Sequence, residues 1–339
     1  MRRALSCGLC VCGLCWLAAS AAAGDQTAGR REPAGETAAA TGPRTPWGEP
    51  DLQGTWSSES ELMVPFERPA QFGERQILTE EEYRQRLAQG TRQLETDNAE
   101  FDVETADRSN AGQVGSATSP PPHWLERGAT SPSRRTSLVI DPPNGRVPAM
   151  TPEGQQRARR GARGTFAGNG FAEPADLSLW ERCITRGVPA AIFPTVYNAN
   201  VRIVQGPGVV AITYEMIHDT RVIPTDGRAH AGDGVRGYAG DSRGRWEGDT
   251  LVVDVAHFSD RASFRGSRET LHLVERFTRV GSGLRYEVTV DDPRTWTARW
   301  TAAMTLEPNP EGMFEYACHE GNHSMRNILS GARSAEAAR

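Results

Sequence analysis

The apolar positions change their spacing three times along the chain. Residues 5–19 form an almost unbroken apolar run, LSCGLCVCGLCWLAA. Arg2 and Arg3 precede it and Ala21-Ala22-Ala23 follows it. A positive start, a short apolar stretch and a small-residue cleavage site are the pattern of a secretory signal peptide over residues 1–23. The run is too short to span a bilayer comfortably, so no stable membrane insertion is expected once the signal is cleaved. Residues 24–45 carry no period and are expected to be a flexible linker. PWGEPDLQGTW, ending at Trp56, opens the folded part.

Helical spacing appears twice. Thr79 and Glu82 form a capping box that predicts a helix from Glu80 to about Leu94. Thr151-Pro152 opens a second, basic helix through Arg163. A polar, Pro- and Ser-rich stretch at 97–135 reads as a long irregular excursion. SLVIDPPNGRVPAM (137–150) reads as a hairpin turning at Asn144-Gly145.

From Asn200 onward the period is two. Strand signals over 200–205, 209–224, 245–258, 270–280, 284–292, 295–306 and 313–320 are separated by short Gly and Asp turns. Strands in series without intervening helices are antiparallel. The expected fold is therefore mainly β: an antiparallel barrel or strongly curved sheet of calycin type, with two helices in an N-terminal segment. One domain over 46–333 accounts for it.

Alternation also assigns faces. The inward set comprises Val210, Ile212, Tyr214, Met216, His218 and Val222 on the first long strand; Leu251, Val253, Val255 and His257 on the next; and Leu271, Leu273, Glu275 and Phe277 on the third. It continues with Leu284, Tyr286, Val288 and Val290; with Trp296, Ala298, Trp300, Ala302, Met304 and Leu306; and with Phe314, Tyr316, Cys318 and Glu320. Polar groups on such faces cost about 1–3 kcal/mol each if left without partners. His218, His257, Glu275 and Glu320 are thus candidate acid–base groups of an internal pocket. Tyr214, Tyr286, Trp296 and Trp300 would form its walls. A satisfied structural role is the plain alternative for each. The same set is also ligand chemistry for a divalent metal, with His218 and His257 as candidate ligands. No cofactor is specified by any motif.

Composition narrows the partners. The 339 residues carry a net charge of only −5, with 35 Gly and 22 Pro. Neither nucleic acid nor an anionic membrane surface is an expected partner; a small-molecule ligand or substrate is. Of six Cys, four lie in the signal, leaving Cys183 and Cys318. In an oxidising compartment these suggest one disulfide; two free thiols or a reactive one are the alternatives. His-Glu-Gly-Asn-His (319–323) fits H-E-x-x-H formally, but it follows a strand pattern and carries Gly321, so a strand-to-turn exit is favoured over a zinc helix. Arg182-Cys183-Ile184-Thr185-Arg186-Gly187 leads to Tyr197-Asn198, and Arg186 and Asn198 are candidate pocket-mouth contacts. Gly240 to Asp249 reads as a charged hairpin. The arginines of 157–163 could bind an anion, with a solvated helix face as the favoured reading.

Together, PWGEPDLQGTW, RTSLVIDPPNGRVPAMTPEG, RCITRG, EMIHDTRVIPTDGR, GDSRGRWEGDTLVVDVAHF and YACHEGNHSM resemble a family of exported bacterial β-rich proteins without an assigned activity. The resemblance covers about residues 46–333. It implies export, to the periplasm or beyond, and a single intact unit. The GTW triplet is also similar to lipocalin-type proteins. Three functions stay open: an exported acid–base lyase, hydrolase or isomerase acting on a glycoside or aromatic compound, a non-catalytic small-molecule carrier, and a metal-dependent enzyme using the same His and Glu residues.

Overall fold

Ten short strands answer the period-two half of the chain, in a computed structural model that describes residues 42–99, 130–161, 171–262 and 264–338. The predicted signal peptide, nearly all of the linker and most of the 97–135 excursion lie outside the described residues. The strands are β1 (Gly54–Ser57), β2 (Val139–Asp141), β3 (Asn200–Gly206), β4 (Val209–Tyr214) and β5 (Thr220–Pro224). They continue with β6 (Asp241–Glu247), β7 (Thr250–Ala256), β8 (His272–Val280), β9 (Gly283–Asp291) and β10 (Trp300–Pro308). Nine follow one antiparallel path, β5-β4-β3-β1-β10-β9-β8-β7-β6, and β2 adds to β10.

The two ends of the path nearly meet, making a barrel-like sheet. Gly244 on β6 permits the approach. A Cβ there would stand 2.7 Å from Thr225 Cγ2 and 3.0 Å from Ile223 Cγ2 at the end of β5. Closure removes the exposed edges that an open sheet presents.

Three α-helices accompany the barrel among the described residues: α1 (Glu80–Ala99), α2 (Pro152–Gly161) and α3 (Ser324–Ala337). The capping box forms as expected. The Thr79 N–H donates to Glu82 Oε2 at 2.8 Å, and the Glu82 N–H to Thr79 Oγ1 at 3.3 Å. Arg75 pairs with the same carboxylate, which is held down at a pKa of about 2 by Arg75 and then by the Thr79 N–H. The Thr151 hydroxyl caps α2 by accepting the Gly154 N–H at 2.9 Å.

The core is the barrel interior. Leu251, Val253 and Val255 on β7, Leu273 and Phe277 on β8, and the four inward residues of β9 are all fully buried. Each contributes about 1.5–3 kcal/mol by burial. One end is plugged by aromatic rings: Phe66, Phe193, Phe264 and Trp300 stand 5.3–6.2 Å apart in successive pairs, with Trp296 packed edge-on to Trp300 at 5.6 Å.

Four expectations of alternation are corrected. The 209–224 run is two strands, because residues 215–219 form a tight turn in which Ile217 and His218 take positive φ. Glu215 anchors that turn by accepting from Asn200 Nδ2 at 2.6 Å and from the Phe314 N–H at 2.7 Å. The parity then restarts: Arg221 and Ile223 face inward, while Val222 is 60% exposed. Strand β7 stops at Ala256, and His257, at φ +56°, turns aside so that Phe258 enters the core instead. Ala298 is exposed, since β10 begins only at Trp300. Residues 313–320 form no strand, and Phe314 is 68% exposed.

The 137–150 segment turns at Asn144-Gly145 but does not pair with itself. Its two arms pair with β10 and with Trp296. The turn is pinned instead by buried Arg68, whose Nη1 donates to the Pro143 carbonyl at 2.5 Å.

Candidate functional site

The inward residues expected to form a solvated pocket divide into two groups. Tyr214, Glu275 and Tyr286 do meet inside the barrel, around a residue the alternation had turned outward. Arg221 Nη1 donates to Glu275 Oε2 at 2.5 Å, and the Tyr286 hydroxyl donates to Glu275 Oε1 at 2.8 Å. Burial alone would lower the Arg221 pKa, but the Glu275 carboxylate outweighs it and raises it. Burial, reinforced by Glu275, raises Tyr286 far above the ordinary phenol value, and burial raises Tyr214 likewise. Trp296 and Trp300 belong to the aromatic plug. This is a packed polar knot.

The remaining candidates lie apart from that knot and from one another. His218 is exposed, with Nδ1 at 3.1 Å from the Tyr316 carbonyl. His257 stands 3.4 Å from Asp233 and 5.5 Å, ring to ring, from His230. Glu320 is exposed in a turn. The His319–His323 pentapeptide is a turn leading into α3, and no group of three or more potential metal ligands occurs among the described residues. No hydrogen bond or ion pair links any two of His218, His257, Glu275 and Glu320 among the described residues.

A different histidine is well connected. His230 Nδ1 lies 2.8 Å from Asp241 Oδ2, and its Nε2 lies 2.7 Å from Asp254 Oδ1. His272 Nε2 reaches the other oxygen of Asp254 at 2.9 Å, and Arg243 pairs with Asp241 at 2.6 Å. Burial alone would raise both carboxyls. The Ala231 N–H and His230 for Asp241, and His230 and His272 for Asp254, draw them below the ordinary value. This network ties the 225–240 loop to the outer face of β6–β8.

A cavity lies where that loop, the β7–β8 connection, α2 and the 174–187 segment converge. Its volume is about 590 Å³. Five arginines line it, Arg182, Arg186, Arg261, Arg265 and Arg268, and no Asp or Glu does. Trp180, Tyr238, Leu177 and Leu179 supply apolar wall. Of the carboxylates adjacent in sequence, Glu269 pairs with Arg157 at 3.7 Å and with Arg294 at 3.5 Å, and Asp260 accepts from the Ser259 hydroxyl at 3.4 Å. Asp176 accepts the N–H groups of Ala172 and Glu173, and Glu181 accepts the Ser178 N–H and hydroxyl. The chain has no acidic residue from 154 to 172.

The arginines are poorly compensated. Arg265 has Glu67 at 3.3 Å and lies over the Phe66 ring at 4.5 Å. Among the described residues Arg268 donates only to the Asp260 carbonyl, at 3.0 Å. Arg182 and Arg261 have no ion pair and no side-chain hydrogen bond among the described residues. Arg186 lies over the Trp180 indole at 5.4 Å, and its Nη1 is buried with no partner. Burial lowers its pKa, and its neighbours are the phenols of Tyr197 and Tyr316. Burial raises Tyr197, keeping it neutral.

Of the two expected pocket-mouth residues, Arg186 lines this cavity and Asn198 does not. Cys183, between Arg182 and Arg186, is joined to Cys318 by a disulfide with the Cα atoms 5.9 Å apart. Sequence reasoning missed Arg182, Arg261, Arg265 and Arg268. They come from segments without period, and only the spread of Arg over 157–163, 182–186 and 261–268 hinted at a basic surface. No protein-family model, curated protein or solved structure matches the chain.

Proposed function

We propose that this protein binds a small organic anion in the arginine-lined cleft. The observation that carries this reading is the convergence of five arginines on one cavity with no Asp or Glu in its lining. Like charges brought together repel unless a counter-charge offsets them. Guanidinium offers a planar fork of donors suited to carboxylate, sulfate and phosphate oxygens. A cavity of about 590 Å³ is the size of a small-molecule site. The acid–base enzyme reading is less well supported, because its four candidate groups do not share a site.

The signal-like pattern at 1–23 and the Cys183–Cys318 disulfide support export to an oxidising compartment. No helix among the described residues is long and apolar enough to cross a membrane.

Thermal unfolding with aryl and alkyl carboxylates, sulfates and phosphates, each paired with its neutral amide or alcohol, tests the reading. At a hundredfold excess over Kd a ligand adds about 2.7 kcal/mol. That is a rise of roughly 5–10 °C for a protein of this size. Equal shifts with anions and their neutral partners, or none with either, would refute it.

A further inference from the structure

Two of the five arginines differ from the rest. Arg186 and Arg268 line the cleft and also a small adjoining recess, whose other walls are mostly apolar, Val188, Phe258, Phe264 and Leu271 among them, with Tyr238 and Ser267 beside these. Arg182, Arg261 and Arg265 line the cleft alone. The recess holds about 10 Å³, the space of one water-sized group. Two cations thus border a space for a single oxygen atom, in a wall that offers no carboxylate.

We infer that the recess seats one oxygen of a compact oxyanion head, held between Arg186 and Arg268, with the ligand's apolar body against Trp180 and Tyr238. The inference rests on the anion-binding reading and names its recognition point. A buried guanidinium nitrogen without a partner is costly in the empty protein, and Arg186 Nη1 is such an atom. The oxyanion removes that cost on binding, so the cost becomes selectivity for a charged head over a neutral one. Arg261 and Arg265 are exposed. Their attraction acts through solvent, is screened by salt and does not depend on the shape of the head.

The carboxylate, sulfonate or phosphate of an aryl or alkyl acid and a free inorganic ion share this head chemistry. Titration calorimetry with benzoate, benzenesulfonate and phenyl phosphate, beside inorganic sulfate and phosphate and neutral benzamide, separates them. The variants are Arg186→Gln, Arg268→Gln and Arg261→Gln. Losing a charge-assisted bond in the recess is expected to weaken aryl-anion binding about 10- to 100-fold for each of the first two. Arg261→Gln is expected to weaken it only about 2- to 5-fold, by an amount that shrinks in higher salt.

Arg186→Gln also removes an uncompensated cation, so the empty variant should melt no lower than wild type. That separates lost recognition from lost folding. Equal losses at Arg186 and Arg261 would overturn the recess as the recognition point while leaving anion binding intact. Tight binding of inorganic phosphate alone, with no gain from an aryl body, would overturn the organic ligand. Failure of every anion to bind wild type would overturn the anion-binding reading itself.

Discussion

Arg221→Met should destabilise the barrel by about 3 kcal/mol, because it strips the buried Glu275 side chain of its cationic partner. The carboxylate is fully buried, and Arg221 is its cationic partner at 2.5 Å. Removing one member of a buried pair typically costs about 3–5 kcal/mol. Two features of this site place the value at the low end. The Tyr286 hydroxyl remains on Glu275 Oε1. The substitution also deletes Nε and Nη2 of Arg221, both buried without partners, each a burden of about 1–3 kcal/mol in the wild type. At roughly 2–4 °C per kcal/mol, the midpoint should fall by about 6–12 °C. The double variant Arg221→Met with Glu275→Leu removes both charges and should recover most of the loss. Urea melts of the three proteins measure it. A single variant within about 1 kcal/mol of wild type, or a double variant no better than the single, would refute a tightly coupled buried pair.

Two further perturbations probe what surrounds the cleft. A Cβ on Gly154 would stand 2.4 Å from the Thr295 carbonyl oxygen; Gly154→Ala should therefore push α2 outward, cost about 1–3 kcal/mol and weaken anion binding through Ala158, and an unchanged urea midpoint would count against this packing. Asp241 and Asp254 have lowered folded values, so their stabilising contribution is complete above the unfolded value of about 3.9 and is lost as pH falls through the folded values. His230→Ala should accordingly reduce stability at pH 6 and approach wild type as pH falls below the unfolded value, and a difference independent of pH would disprove the link.

Much of the barrel was legible in the chain. Turn chemistry and period two placed β8, β9 and, from Trp300 onward, β10 with their inward residues, because those strands are long, unbroken and buried on one face. The same rule failed wherever a turn lay inside an alternating run. Positive-φ residues, Ile217 and His218 in the 215–219 turn and His257 after β7, reset the parity, and a linear pattern carries no mark of that reset. Arg221 was therefore read as outward, His218 and His257 as inward, and the carboxylate of Glu275 was left without its true partner.

Local sequence determined the capping of α1, the entry to α2, the antiparallel class and the residues available for one disulfide, since each depends on neighbours within a few positions. Tertiary structure alone decided the closure of β5 against β6, the filling of one barrel end by aromatic rings, and the cleft beside it. The five arginines come from two stretches about seventy-five residues apart, 182–186 and 261–268. Charge at each is an ordinary surface property; only the fold brings the guanidiniums together, and only their convergence without carboxylates creates a field that requires a counter-ion.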